Sequence, residues 1–99
     1  VGLLNALHHF RGEKPSCVQL AKEACKVEID ILKKNSGKQD QYAAAFGGFN
    51  KFTFKKDEQV IIEPLNISNK NINKIFKNLC LIWTGVTRNS SKIVKDYKC

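Results

Sequence analysis

The sequence lacks any run of about 18 apolar residues, the length a helix needs to cross a bilayer, so a helical membrane span is excluded. No charged-then-apolar leader with a small-residue cleavage site opens it, which leaves secretion without support. Arginine is scarce: Arg11 and Arg88 are the only two among 17 basic residues. Acidic residues number nine, and no block of five or six like charges occurs, so a charged interaction tail is excluded. No C-x-x-C pair and no Cys/His pair has zinc spacing, which removes the common structural zinc sites. Internal repeats and low-complexity linkers are also missing, so solenoid and disordered classes fail.

What remains is ordinary for a soluble globular protein: 99 residues, 42% hydrophobic and 26% charged. A chain of this length buries roughly 60–65% of the surface it exposes when unfolded, so its core is modest. It is one small domain or a piece of a larger one. The net charge of +8 at pH 7 invites nucleic acid, an anionic membrane surface or phosphorylated small molecules as partners. The lysines are scattered from Lys14 to Lys98, which favours a solvated surface over a nucleic-acid face. Cys17, Cys25 and Cys80 lie in apolar patterns, where a free thiol behaves as a small hydrophobe. They read as reduced core residues of a cytoplasmic protein, and Cys99 ends the chain.

Both ends read as cut. Val1, Leu3, Leu4, Leu7 and Phe10 form an apolar helical face with no capping residue before it, and Ser90 to Cys99 reads as a helix still in progress. The expectation is a fragment of a longer protein. Gly12 ends the first helix. Ser16-x-x-Gln19 is a capping-box start, with the Ser16 hydroxyl facing the amide of Gln19. The next helix runs to about Lys33 with Cys17, Leu20, Ala21, Ala24, Cys25, Ile31 and Leu32 as its apolar stripe. Asn35-Ser36-Gly37 breaks it, and Ser36 or Asn35 caps a short helix containing Asp40 to Phe46. Gly47-Gly48 ends that helix. Alternation predicts a hairpin over Phe49 to Glu63, closed by Pro64. Asn66 to Asn73 is a polar connection, Ile75-Phe76 a helical turn, and Leu79 to Trp83 a buried strand. The order of elements predicts an α+β fold, with helices packed on an antiparallel sheet.

Two carboxylates stand out. Helical spacing extends the apolar stripe onto Glu28, and an unpaired buried carboxylate is costly. Two readings stand: a structural ion pair with lysine or solvation at the stripe's edge, or a carboxylate serving a metal or phosphate site. Asp40 follows a Ser-Gly turn just inside a helix start, where amides orient carboxylates and bind anions. It is either a first-turn helix stabiliser worth about 0.3–1 kcal/mol or part of a site. His8 and His9 end an apolar helix beside Arg11 and read as cations near a helix C-terminus, with no partner at ligand spacing. Trp83 reads as a strand-packing residue.

The segment Gly37-Lys38-Gln39-Asp40-Gln41 through Ala43-Ala44-Ala45-Phe46-Gly47-Gly48 resembles the catalytic-Asp segment of the GHMP (galactokinase–homoserine kinase–mevalonate kinase) superfamily. With Ala24-x-x-x-Glu28-Ile29-Asp30 upstream and Trp83-Thr84-Gly85-Val86-Thr87-Arg88 downstream, it is most similar to the heptose 7-phosphate kinases. The resemblance covers essentially the whole chain. Relatives often carry Pro before the Gly of the Asp segment, where this chain has Lys34-Asn35-Ser36.

The resemblance implies a partial GHMP-kinase fold: residues 1–77 as part of the N-terminal, ribosomal S5 domain 2-like domain, and residues 78–99 as the start of the C-terminal domain. It implies Asp40 as catalytic base or orienting group and Glu28 as magnesium ligand. Gly37, Lys38, Gln39, Thr87 and Arg88 fall on the acceptor side. ATP and Mg2+ are the implied cofactors. The Gly-rich loop that cradles the nucleotide is absent from this chain, so the chain alone is expected to lack kinase activity. The implied partners are a sugar phosphate and ATP, with no nucleic acid and no membrane. The implied reaction is transfer to the anomeric hydroxyl of a heptose 7-phosphate. Alternatives are another GHMP sugar kinase, for fucose or galactose, or, from a different class, a small basic module binding nucleic acid.

Overall fold

A computed structural model describes residues 1–87. Arg88, the rest of the loop that follows it and the helix expected from Ser90 to Cys99 lie outside the described residues. The chain divides into two units, one over residues 1–47 and one beginning at Gly48.

The first unit is helical. Helix α1 spans Gly2–Phe10 and α2 spans Cys17–Cys25. Ser16 caps α2 as its sequence predicts, its Oγ accepting the Gln19 amide at 3.1 Å. No reciprocal bond from the Ser16 amide to Gln19 is present among the described residues, and the Gln19 Nε2 donates to Glu23 at 2.9 Å. The helix does not run on regularly to Lys33. From Lys26–Ile31 it widens into a π-helix, with the Leu32 amide donating five residues back to Val27 at 2.9 Å. Lys33 takes a left-handed φ of 51°, and the Lys34 amide closes back on the Glu28 carbonyl at 2.9 Å. The helix thus stops before the Asn-Ser-Gly signal. Helix α3 spans Gln39–Phe46. Its cap is Lys38, without a side-chain bond; Ser36 does not cap it and donates to the Gly37 carbonyl at 2.9 Å. Gly47 and Gly48 follow with φ of 60° and 68°, a pair of left-handed residues that side chains with a Cβ rarely adopt.

The core of this unit is the α2–α3 contact. Leu20, Ala21, Ala24 and Cys25 of α2 and Gln41 and Tyr42 of α3 are buried. Alanines here let the helices approach closely, and the Tyr42 ring stacks on Phe46. The predicted stripe is only partly right. Cys17, Ile31 and Leu32 are exposed, because the π-widening rotates the last two off the α-helical face. The apolar face of α1 also has no buried residue.

His8 does more than sit at a helix end. Its Nδ1 donates to Glu13 at 2.5 Å and its Nε2 to Glu23 at 2.6 Å. A ring that donates from both nitrogens is the imidazolium. The bonds to Glu23 and Glu13 raise the His8 pKa above 6.5, and the bond from His8 lowers that of Glu23 below 4.5. A raised histidine pKa contributes stability that is complete below 6.5 and is lost as pH rises through the folded value. The lowered Glu23 value contributes above 4.5 and is lost as pH falls through its own folded value. The stability difference between the parent and His8→Gln is therefore expected to be largest between pH 4.5 and 6.5 and to shrink above that. Urea denaturation across pH measures it; a difference that grows toward alkaline pH contradicts the pairing.

The second unit holds strands β1 (Asn50–Phe54) and β2 (Val60–Pro64) and helix α4 (Asn69–Lys77). The strands pair antiparallel with Asn50 opposite Pro64 and Phe54 opposite Val60. Lys51 meets Glu63 across the ladder at 2.7 Å, an exposed pair worth little. The hairpin and the α+β class stand as the sequence predicts, with four α-helices and one two-stranded antiparallel sheet among the described residues. Ser68 caps α4 through the Asn71 amide, so residues read as a polar connection are helical. Phe76 of α4 meets the ring of Phe49, just before β1, edge-on at 6.3 Å, and α4 has no buried residue. Leu79 to Trp83 forms no strand, and Trp83 is 72% exposed. A strand needs a partner for its amides, and none of the described residues supplies one. Cys80 is exposed with it.

Candidate active site

Glu28 lies in the first turn of the π-helical segment and is half-buried. Among the described residues no lysine or arginine forms an ion pair with it. Its partner is Gln41, whose Nε2 donates to Glu28 Oε2 at 2.7 Å across the junction with α3. The amide orientation follows from chemistry, since a carboxylate only accepts. Gln41 is 5% exposed, and its Oε1 is buried without a donor among the described residues. Such an acceptor costs about 1–3 kcal/mol if left unsatisfied. Gln41 is the residue that sequence reading missed, because a glutamine in a polar run carries no periodic signal.

Asp40 precedes Gln41 and sits in the first turn of α3. Its carboxylate is exposed and has no bonded partner among the described residues, so it is open to meet a ligand. Gly37 and Gln39 are exposed beside it, and Lys38 is half-buried. The buried Cys25 thiol reports on the same junction. Burial pushes its pKa up, the Lys38 charge pulls it partly back, and Glu28 and Asp30 push it further up. Glu28, Lys38 and Gln41 therefore share one neighbourhood at the end of α2, with Asp40 next in chain to Gln41. Thr87 is exposed and belongs to the second unit.

Magnesium is a hard cation that takes one or two protein carboxylates and fills the rest of its shell with water and phosphate oxygens. No three His, Cys, Asp or Glu side chains cluster as a metal cage among the described residues. A single fixed carboxylate with one oxygen engaged, beside a buried acceptor lacking a donor, fits such a partial shell.

Residues 1–48 match the family described as GHMP kinases N terminal domain, so the resemblance to the GHMP kinases holds over the segment that carries Glu28 and Asp40. The chain is 34% identical over 98 residues to a D-glycero-alpha-D-manno-heptose 7-phosphate kinase of Campylobacter jejuni. That alignment covers 99% of this chain and 29% of the relative, so the chain spans under a third of that protein's length. No solved structure matches the chain. No helix among the described residues is long and apolar enough to cross a membrane.

Proposed function

We propose that this chain is a segment of a cytoplasmic, ATP-dependent sugar kinase of the GHMP type that phosphorylates the anomeric hydroxyl of a heptose 7-phosphate. Residues 1–77 belong in this reading to the N-terminal domain and residues 78–99 begin the C-terminal one. The observation that carries it is the carboxylate of Glu28 held by Gln41, the residue next in chain to the exposed Asp40. The similarity to a heptose 7-phosphate kinase supports the choice of acceptor.

Phosphoryl transfer passes through a loose, anionic transition state, so catalysis is mostly positioning and charge stabilisation. Asp40 takes the proton of the acceptor hydroxyl or orients it for attack. Glu28 would hold a magnesium ion, which would supply positive charge to offset that of the phosphate oxygens. In this reading Gly37, Lys38, Gln39, Thr87 and Arg88 are assigned to the acceptor sugar phosphate, an assignment that rests on the resemblance. The nucleotide is cradled by residues outside this chain, so the 99 residues alone are inactive.

The test is ADP release by the complete protein with Mg2+, ATP and a panel of acceptors: heptose 7-phosphate, fucose and galactose. The expected result is strong preference for the heptose phosphate. Preference for fucose or galactose keeps the kinase and replaces the substrate. No turnover, with oligonucleotide binding that falls steeply with salt, replaces the kinase by a basic nucleic-acid module.

A further inference from the structure

The sequence supplies lysine in abundance, yet Glu28 is bonded to a neutral amide. This difference has a chemical consequence. A lysine or arginine on Glu28 would neutralise the carboxylate and compete with any cation for it. A glutamine N–H fixes one carboxylate oxygen and leaves the full negative charge in place. The fixed oxygen is Oε2, which leaves Oε1 for a cation. The π-helical segment carries Glu28 to the junction that Gln41 of α3 reaches, and π-turns are frequent at functional positions. The remaining group of the amide, Gln41 Oε1, is buried and accepts nothing from the described residues. A buried acceptor of this kind calls for a donor beyond the described residues, which the water of a hydrated cation would supply.

We propose that Gln41 is a positioning residue for the magnesium carboxylate, orienting Glu28 through a neutral hydrogen bond that preserves its charge. This rests on the reading of Glu28 as a metal ligand. Residues that orient metal ligands typically contribute 10–100-fold to metal affinity or activity.

The test uses the complete protein with Gln41→Leu, Gln41→Lys, Glu28→Gln and the double variant Glu28→Gln/Gln41→Leu. Gln41→Leu removes the bond with an apolar residue suited to burial. Gln41→Lys keeps a donor but cancels the charge. Two readouts are taken: the magnesium concentration for half-maximal turnover, and the magnesium midpoint for thermal stabilisation in the presence of ADP. Both single Gln41 variants are expected to raise each midpoint by about 10–100-fold. The double variant is expected to match Glu28→Gln alone, because the effect runs through Glu28. A merely structural role predicts additive losses in the double variant and unchanged magnesium midpoints in the singles; either result overturns the proposal. If Glu28→Gln itself leaves both midpoints unchanged, the metal-ligand reading fails and the proposal with it. If Glu28→Gln raises them and Gln41→Leu does not, only the positioning role fails.

Discussion

Replacing Asp40 by Asn in the complete protein is expected to lower turnover by about 10²–10⁴, the usual contribution of a general base. That corresponds to about 2.7–5.5 kcal/mol of barrier. The substitution keeps the shape of the side chain and removes its capacity to accept a proton. The effect should fall on turnover and not on binding. Asp40 is exposed and bonds to no other described residue, so the change breaks no side-chain bond among the described residues and costs at most the first-turn contribution of about 0.3–1 kcal/mol. Nucleotide affinity, measured by ADP titration, should stay close to that of the parent. Loss of nucleotide affinity together with turnover would show that Asp40 acts in binding, and unimpaired turnover would remove it from the chemistry.

The second large effect is on stability. Tyr42 is 4% exposed and is the only aromatic side chain among the buried residues of the described chain. It stacks on Phe46 one helical turn on, with ring centroids 6.3 Å apart. Truncation to Ala removes the bulk of the α3 contribution to the α2–α3 contact. Buried aromatic-to-alanine changes cost about 3–5 kcal/mol, a large part of a typical stability of about 5–15 kcal/mol. Urea denaturation of the Tyr42→Ala variant is expected to show that loss. Gln41 follows the same backbone, and its hold on Glu28 should loosen with it. A loss below about 1 kcal/mol, the scale of a surface substitution, would contradict the placement of the core.

Local signals in the sequence were the ones that translated. Ser16 three residues before Gln19 specified a helix start that needs no tertiary partner, and the bond is there. Alternation through Phe49 to Glu63 specified a hairpin, and the register follows it. Asp40 behind Ser36-Gly37 read as a residue just inside a helix, which it is, although Lys38 holds the cap. The features that did not translate depend on other parts of the molecule. A wheel drawn at 3.6 residues per turn put Glu28, Ile31 and Leu32 on one face, but the helix changes its period at Lys26. Nothing in residues 26–31 announces that change. Leu79 to Trp83 has the composition of a buried strand, and composition alone supplies no neighbouring strand to pair with. Ser68 and Ile72 did carry a helix signal, masked by the asparagines around them, which lower helix propensity. Gln41 could be found only through its partner, thirteen residues away in sequence.

The central claim is that Asp40 and Glu28 belong to a phosphoryl-transfer site for a sugar phosphate. Phosphorus NMR of the complete protein incubated with Mg2+, ATP and heptose 7-phosphate tests it most directly. The account predicts a new resonance for a phosphate on the anomeric oxygen, coupled to the anomeric proton, growing in step with ADP and nearly abolished by Asp40→Asn. ATP left intact in the presence of every acceptor tried, or a phosphate appearing at the same rate in the Asp40→Asn variant, would contradict it.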